Sequence, residues 1–126
     1  MKYFFALVVA FLLMNFSATV YAQKSKAKTV SAKKFERKMQ RHNVVVLDVR
    51  TEEEFAQGHI KDAHLIDVNK EDFAQKIQTL DKEKTYLVYC RSGKRSEKAL
   101  NLLHNAGFEK AYHLKGGYLE WQKRKD

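Results

Sequence analysis

Two short apolar runs constrain the fold of this chain most strongly. Residues 44–49 read Val-Val-Val-Leu-Asp-Val, and residues 85–89 read Thr-Tyr-Leu-Val-Tyr. A strand that is apolar on both faces needs cover on both sides, which is typical of parallel sheets flanked by helices. Shorter strands are predicted at 63–67 and 111–114.

Helix-capping signals lie between these strands. The residues predicted to cap helices are Ser31, Thr51, Asn69 and Ser96. Thr51 and Glu54 have the spacing of a capping box, and Gly58 is suited to end that helix. Further helices are predicted at 69–78 and 96–106, with a last one near the C-terminus. The alternation of helices and strands predicts a three-layer α/β fold with a mostly parallel central sheet.

The first 22 residues have the pattern of a secretory signal peptide. Lys2 forms a short positive region, residues 3–14 are almost entirely apolar, and Val-Tyr-Ala at 20–22 resembles a cleavage site before Gln23. The alternative is an uncleaved anchor, since the segment is long enough to span a bilayer. We therefore predict an exported protein, periplasmic or secreted, with no stable membrane span after cleavage.

The formal charge of +9 is an N-terminal feature. Residues 23–43 hold eight basic residues and one acid, whereas residues 44–126 hold fifteen basic and fourteen acidic ones. The nearly neutral body argues against nucleic acid as a partner. We predict a basic linker at 23–30 and one domain at 31–126. A solvated linker and helix face explains the basic segment, and contact with phosphates or anionic lipid is the alternative.

Cys90 is the one cysteine of the chain. A single cysteine excludes an intrachain disulfide, a cysteine-based zinc site and a CxxC redox pair. It is also unusual in an exported protein, because such compartments oxidise thiols. The five histidines lack metal-ligand spacing, so no metal site is predicted.

The residues after Cys90 carry charge and allow a tight backbone. They are Arg91, Ser92, Gly93, Lys94, Arg95 and Ser96. Ligands of open α/β sheets bind at the carboxyl ends of strands, and a helix N-terminus adds N–H groups and partial positive charge there. Such a loop stabilises an anion, either the Cys90 thiolate or an anionic substrate above it, which suits nucleophilic catalysis. The alternative is an inert buried cysteine.

Three motifs resemble those of the rhodanese-like sulfurtransferases. The matching segments are Cys90 to Ser96, similar to the family's active-site loop; Leu47-Asp48-Val49-Arg50 with Glu54-Phe55 and Gly58-His59-Ile60; and Leu114-Lys115-Gly116-Gly117-Tyr118 with Trp121. They occur in the family's order and cover roughly residues 30–124.

The resemblance implies a rhodanese-like fold and a ping-pong sulfur transfer that requires no metal or organic cofactor. The Cys90 thiolate would take the outer sulfur of a donor such as thiosulfate and pass it from a persulfide to cyanide or a cellular thiol. Arg91 and Arg95 would bind the anionic donor, and Lys94 would tune the preference for donor charge. The backbone amides of residues 91–96 would hold the persulfide.

The resemblance also suggests that Asp48, Arg50 and Glu54 tie a loop together near the mouth of the site. We favour the alternative of an ordinary structural ion-pair network. The chain departs from the family pattern at 61–65, where Lys-Asp-Ala-His-Leu replaces the common Pro-Gly-Ala-x-Asn. That change leaves the shape of the mouth and the preferred acceptor open.

Three other functions share some of these sequence features. A cysteine-dependent phosphatase would place five residues between the nucleophile and its arginine, whereas four separate Cys90 from Arg95. A sulfur-carrier or sensor module that acts through a partner protein, with little free turnover, is the main alternative. A thiol redox sensor would lack a resolving cysteine within the chain.

Overall fold

The computed structural model describes residues 28–125. The predicted signal peptide at 1–22 and most of the linker predicted at 23–30 lie outside the described residues. The elements, in chain order, are β1 (Thr29–Val30), α1 (Ala32–Met39), β2 (Val44–Asp48), α2 (Glu52–Gln57), β3 (His64–Leu65), α3 (Phe73–Gln78), β4 (Thr85–Tyr89), α4 (Lys94–Asn105), β5 (Ala111–Leu114) and α5 (Gly117–Lys125).

The five strands form one sheet in the order β1-β5-β4-β2-β3, and every pairing is parallel. The two apolar runs are its neighbouring strands β2 and β4, in register from Val44 and Thr85 to Asp48 and Tyr89. Since all strands point the same way, their carboxyl ends share one edge of the sheet. The predicted parallel α/β fold is confirmed.

Helices cover both faces of the sheet, which explains why the central strands are apolar on both sides. Phe73 of α3 and Leu100 of α4 belong to one buried cluster, and Phe35 of α1 and Trp121 of α5 belong to the other. Each large apolar side chain buried in this way contributes about 1.5–3 kcal/mol relative to an exposed one. The two clusters hold the loops at the carboxyl edge on a rigid support.

Local capping signals were right at two helices and wrong at two others. The Ser31 side chain caps α1, and Thr51 and Glu54 form the predicted capping box of α2. In contrast, α3 begins at Phe73 with Asp72 in the cap position, so Asn69 does not cap it. Helix α4 begins at Lys94, so Ser96 lies inside its first turn.

Strand β1 was not predicted. Thr29 and Val30 pair with His113 and Leu114 of β5, although they belong to the segment predicted as a basic linker. The body of the fold therefore begins at least two residues earlier than residue 31. Within residues 28–125, no helix is both long enough and apolar enough to cross a bilayer.

Candidate active site

The loop that follows β4 wraps around the sulfur of Cys90. Only 1% of Cys90 is exposed. The Gly93 backbone N–H donates to Cys90 Sγ at 3.1 Å, and Ser96 Oγ lies 3.4 Å from the same sulfur. The Gly93 N–H is thus a donor to the sulfur, whereas the Cys90 thiol donates to Ser96 Oγ and the Ser96 hydroxyl donates to the Gly93 carbonyl oxygen.

The start of α5 fixes the backbone of this loop. The Tyr118 N–H donates to the Cys90 carbonyl oxygen at 2.8 Å, and the Leu119 N–H donates to that of Arg91 at 3.1 Å. Gly117 makes this approach possible, because its φ is +62° and a Cβ there would lie 2.6 Å from the Cys90 carbonyl oxygen and clash with Arg91. A non-glycine residue would be strained by its backbone angle and by these contacts.

The three cations of the loop are placed differently. The side chains of Arg91 and Lys94 are exposed, whereas Arg95 binds the Glu54 carboxylate through two hydrogen bonds of 2.6 and 2.9 Å. The Arg95 guanidinium lowers the pKa of Glu54 to about 2, and Glu54 in turn raises the pKa of Arg95. The structure thus brings both predicted donor-binding arginines to the loop, but the charge of Arg95 is already compensated.

A cavity of about 550 Å³, with both polar and apolar lining, lies beside the loop. Arg91 and Arg95 line it, together with the amide side chains of Gln57 and Gln122 and the ring of Tyr118. A cavity of this size and polarity has room for a small anion or a short organic thiol. Two of the predicted substrate-binding residues therefore face a space that a ligand can enter.

Asp48 and Arg50 form a buried network at the end of β2. Arg50 Nη2 lies 2.7 Å from Asp48 Oδ2 and donates at 2.7 Å to the Gly58 carbonyl oxygen. The Tyr89 hydroxyl donates to Asp48 at 2.6 Å and accepts from the Ile60 N–H at 3.0 Å. Burial, aided by the nearby Asp48 carboxylate, raises the pKa of Tyr89 far above its usual value. These polar groups satisfy one another, so the network ties β2, β4 and the turn after α2 together.

Glu54 does not belong to that network. Its carboxylate spans instead from the cap residue Thr51 to Arg95, which is 41 residues further along the chain. Of the three supporting residues predicted near the mouth, Asp48 and Arg50 thus form a buried pair, and Glu54 connects α2 to the cysteine loop through Arg95.

The turn at 61–65 includes a left-handed residue at the point where the chain departs from the family pattern. Asp62 occupies the position at which the resemblance expects glycine, and its φ is +63°. Aspartate is one of the few other residues that adopt this left-handed conformation readily. His59 closes the preceding turn, with Nδ1 2.9 Å from the Phe55 carbonyl oxygen.

Sequence reasoning missed a polar chain behind the sulfur. His113 Nδ1 lies 3.0 Å from Ser96 Oγ, and its Nε2 lies 2.9 Å from Thr29 Oγ1. Both Ser96 and His113 are buried, and burial lowers the pKa of His113. The sequence does place His113 inside the strand predicted at 111–114, where a polar residue is unusual. Its partners could not be inferred, because Ser96 and Thr29 lie far from it in the sequence. No group of three or more His, Cys, Asp or Glu side chains in the described part of the chain could hold a metal ion.

Comparison with known proteins identifies the family. The model of the rhodanese-like domain matches residues 31–124. A putative sulfurtransferase of Bacillus subtilis is 39% identical over 77 residues, which are 61% of this chain and 72% of that protein. A tRNA uridine(34) hydroxylase of Cytophaga hutchinsonii is 41% identical over 101 residues, 78% of this chain. The chain spans about a third of the length of that hydroxylase, the matched part being 32% of it.

A solved structure supports the same assignment. The crystal structure of a rhodanese-related protein from Thermoplasma volcanium superposes with a TM-score of 0.69 at 26% identity. The match covers 77% of this chain and 92% of that one. The family match begins just after β1 and includes the cysteine loop and the buried network. The chain therefore belongs to the rhodanese-like domain family.

Proposed function

We propose that this chain is a sulfurtransferase that carries a sulfane sulfur on Cys90, taking it from a donor such as thiosulfate and giving it to a thiol, or to cyanide in an assay. The observation that carries the proposal is the Gly93 N–H that donates to Cys90 Sγ at 3.1 Å. A backbone donor aimed at Sγ stabilises the thiolate that attacks the donor and that leaves again when the persulfide is cleaved.

The first step forms the persulfide. The Cys90 thiolate attacks the outer sulfur of thiosulfate, a bond forms between the two sulfurs, and the bond from the outer sulfur to sulfite breaks. Sulfite leaves with the electron pair of that bond. Arg91 and Lys94, whose side chains are exposed beside the loop, attract the dianionic donor. Arg95 contributes less in this account, because Glu54 already balances its charge.

The second step returns the free thiolate. An acceptor thiolate or cyanide attacks the outer sulfur of the persulfide, and the sulfur–sulfur bond breaks with its electrons moving to Cys90. Because the donor remnant leaves before the acceptor reacts, the two substrates follow ping-pong kinetics. No external oxidant or reductant is consumed in either step.

Steady-state kinetics test this proposal. Thiocyanate formation from thiosulfate and cyanide should give parallel double-reciprocal plots, and Cys90→Ser should lower the rate by several orders of magnitude. The substitution is close to isosteric, so the unfolding transition should stay within about 1 kcal/mol of wild type. Near wild-type turnover in a correctly folded Cys90→Ser variant would exclude a Cys90 persulfide.

The proposal extends to an exported enzyme. The support is the signal-peptide pattern of residues 1–22. A single free thiol is unusual in an exported protein, because such compartments oxidise thiols, and a reactive role for Cys90 would explain why it is there. N-terminal sequencing of protein recovered from the exported fraction should begin at Gln23. A chain that keeps Met1 and remains in the membrane fraction would favour the uncleaved anchor.

A further inference from the structure

We propose that His113 is a positioning residue for the nucleophile: its Nδ1–H donates to Ser96 Oγ and thereby directs the Ser96 hydroxyl proton to the Cys90 sulfur. The proposal rests on the proposed function only in treating Cys90 as the reacting group. It adds a residue on β5 that touches neither the sulfur nor the cavity.

The hydroxyl of Ser96 has one proton and three polar neighbours. Cys90 Sγ lies at 3.4 Å, the Gly93 carbonyl oxygen at 3.0 Å and His113 Nδ1 at 3.0 Å. A hydroxyl donates once and accepts twice, so the neighbours compete for one hydrogen. When Cys90 is a thiol, it can donate to Ser96. When it is a thiolate, it needs the Ser96 proton.

The tautomer of His113 decides this competition. If Nδ1 lacked a proton, it would accept the Ser96 hydrogen and leave the thiolate without that donor. Thr29 Oγ1 lies 2.9 Å from Nε2, and in the proposed tautomer it donates to Nε2 while the ring proton stays on Nδ1. Burial lowers the pKa of His113 and so favours the neutral ring, an effect that the charge of Glu97 opposes. With Nδ1 protonated, the Ser96 hydrogen is free for the sulfur.

When the Ser96 hydroxyl turns towards the sulfur, the Gly93 carbonyl oxygen loses one hydrogen bond, and the free-energy cost of that loss is small. The Gly93 carbonyl oxygen also accepts the Glu97 backbone N–H at 3.1 Å. It therefore keeps a partner when Ser96 donates elsewhere, and no buried acceptor is left unsatisfied. The switch between the thiol and thiolate arrangements needs only a hydroxyl rotation.

The histidine is held rigidly enough to act this way. Its ring is buried, and its backbone N–H donates to the Lys28 carbonyl oxygen at 2.9 Å, next to the pairing of Thr29 with His113. Strand β1 thus fixes both the position of the ring and the partner of Nε2. A segment predicted as a linker contributes in this way to the environment of Cys90.

Replacing His113 by asparagine and by glutamine tests the roles of its two ring nitrogens individually. In His113→Asn the side-chain amide can reach the place of Nδ1 and donate to Ser96, whereas in His113→Gln it reaches the place of Nε2 and cannot. The readouts are the thiolate absorbance near 240 nm and the rate of alkylation by iodoacetamide, both at pH 7 on the reduced full-length chain. We expect His113→Gln to alkylate about five- to tenfold more slowly and His113→Asn to stay within about twofold of wild type.

Ser96→Ala provides the reference for complete loss of the hydroxyl, and His113→Gln should approach its rate. Thr29→Val should slow alkylation in the same direction but by less. Equal rates for the Asn and Gln variants, at matched thermal unfolding midpoints, would overturn the proposal, as would a His113→Gln rate equal to wild type. Alkylation needs no sulfur donor, so these results stand whether or not the protein transfers sulfur.

Discussion

The segments that follow β2 and β4 leave neighbouring strands at the same edge of the sheet, yet they use charge in opposite ways. At the end of β2, Asp48 and Arg50 are 0% and 3% exposed and bond to each other. After β4, Arg91 and Lys94 extend into solvent, and Arg95 is only partly covered through its pair with Glu54.

The difference shows which charges are available to a ligand. Neither member of a buried, fully bonded ion pair can leave the other without a large desolvation cost, so the pair holds the backbone in place. An exposed cation loses little when an anion approaches it. Four charged residues named by the same motifs therefore divide into a structural pair, Asp48 and Arg50, and a pair suited to binding, Arg91 and Lys94.

Asp48→Asn should have the largest effect on stability. It leaves the Arg50 guanidinium buried without a counter-ion, which costs about 3–5 kcal/mol. Urea unfolding measures this loss. The matched control is Lys76→Gln, which breaks the exposed pair with Asp72 and should cost less than about 1 kcal/mol. Similar losses in the two variants would remove the distinction between buried and exposed pairs.

Gly117→Ala should damage both the fold and the site. The positive φ alone costs about 1–2 kcal/mol, and the new Cβ would push against the Cys90 carbonyl oxygen. We expect turnover per folded molecule to fall at least about tenfold, since small displacements of a nucleophile are costly. Gly107→Ala is the control, because its φ of +94° carries similar strain beside the Lys82 side chain. Equal turnover in both variants would show that α5 does not position the loop.

Glu54→Gln should raise activity with anionic donors modestly. The amide keeps the capping pattern of α2 but no longer neutralises Arg95, so kcat/KM for thiosulfate should rise about two- to fivefold. Glu53→Gln removes the same charge from the same helix without touching Arg95. A fall in activity in Glu54→Gln but not in Glu53→Gln would mean that Glu54 serves to position Arg95 and not to neutralise its charge.

The smallest effect concerns acid stability. Because the folded pKa of Glu54 is about 2, below its ordinary value of 4.5, the Arg95 pair contributes stability above pH 4.5 that is lost as the pH falls towards 2. For a partly exposed pair this contribution is about 1 kcal/mol or less. The stability difference between wild type and Glu54→Gln, measured by urea unfolding, should shrink from pH 7 to pH 3. A difference that grows on acidification would contradict the assigned charge state.

Much of the architecture was predictable because its causes are local. The runs that became β2 and β4 need cover on both faces whatever the rest of the chain does. The caps at Ser31 and Thr51 depend on residues three positions away. The cysteine loop was found because its cations and glycine are contiguous in sequence.

The remainder depends on contacts between distant segments. Strand β1 exists through its pairing with β5, 84 residues away, and two residues within a basic stretch give no periodic signal. The pairing of Glu54 with Arg95 spans 41 residues. Ser96 was predicted as a cap because serine suits that position, but Gly93 occupies the cap position instead, and the Ser96 hydroxyl lies beside the sulfur.

The most direct test of the central claim is the intact mass of the purified protein before and after thiosulfate, and again after cyanide. We expect a gain of one sulfur atom on Cys90, lost on cyanide treatment and absent in Cys90→Ser. The cyanide step is needed because two added oxygens nearly match one sulfur in mass. A reduced Cys90 that gains no sulfur from thiosulfate or from an organic persulfide would contradict the account.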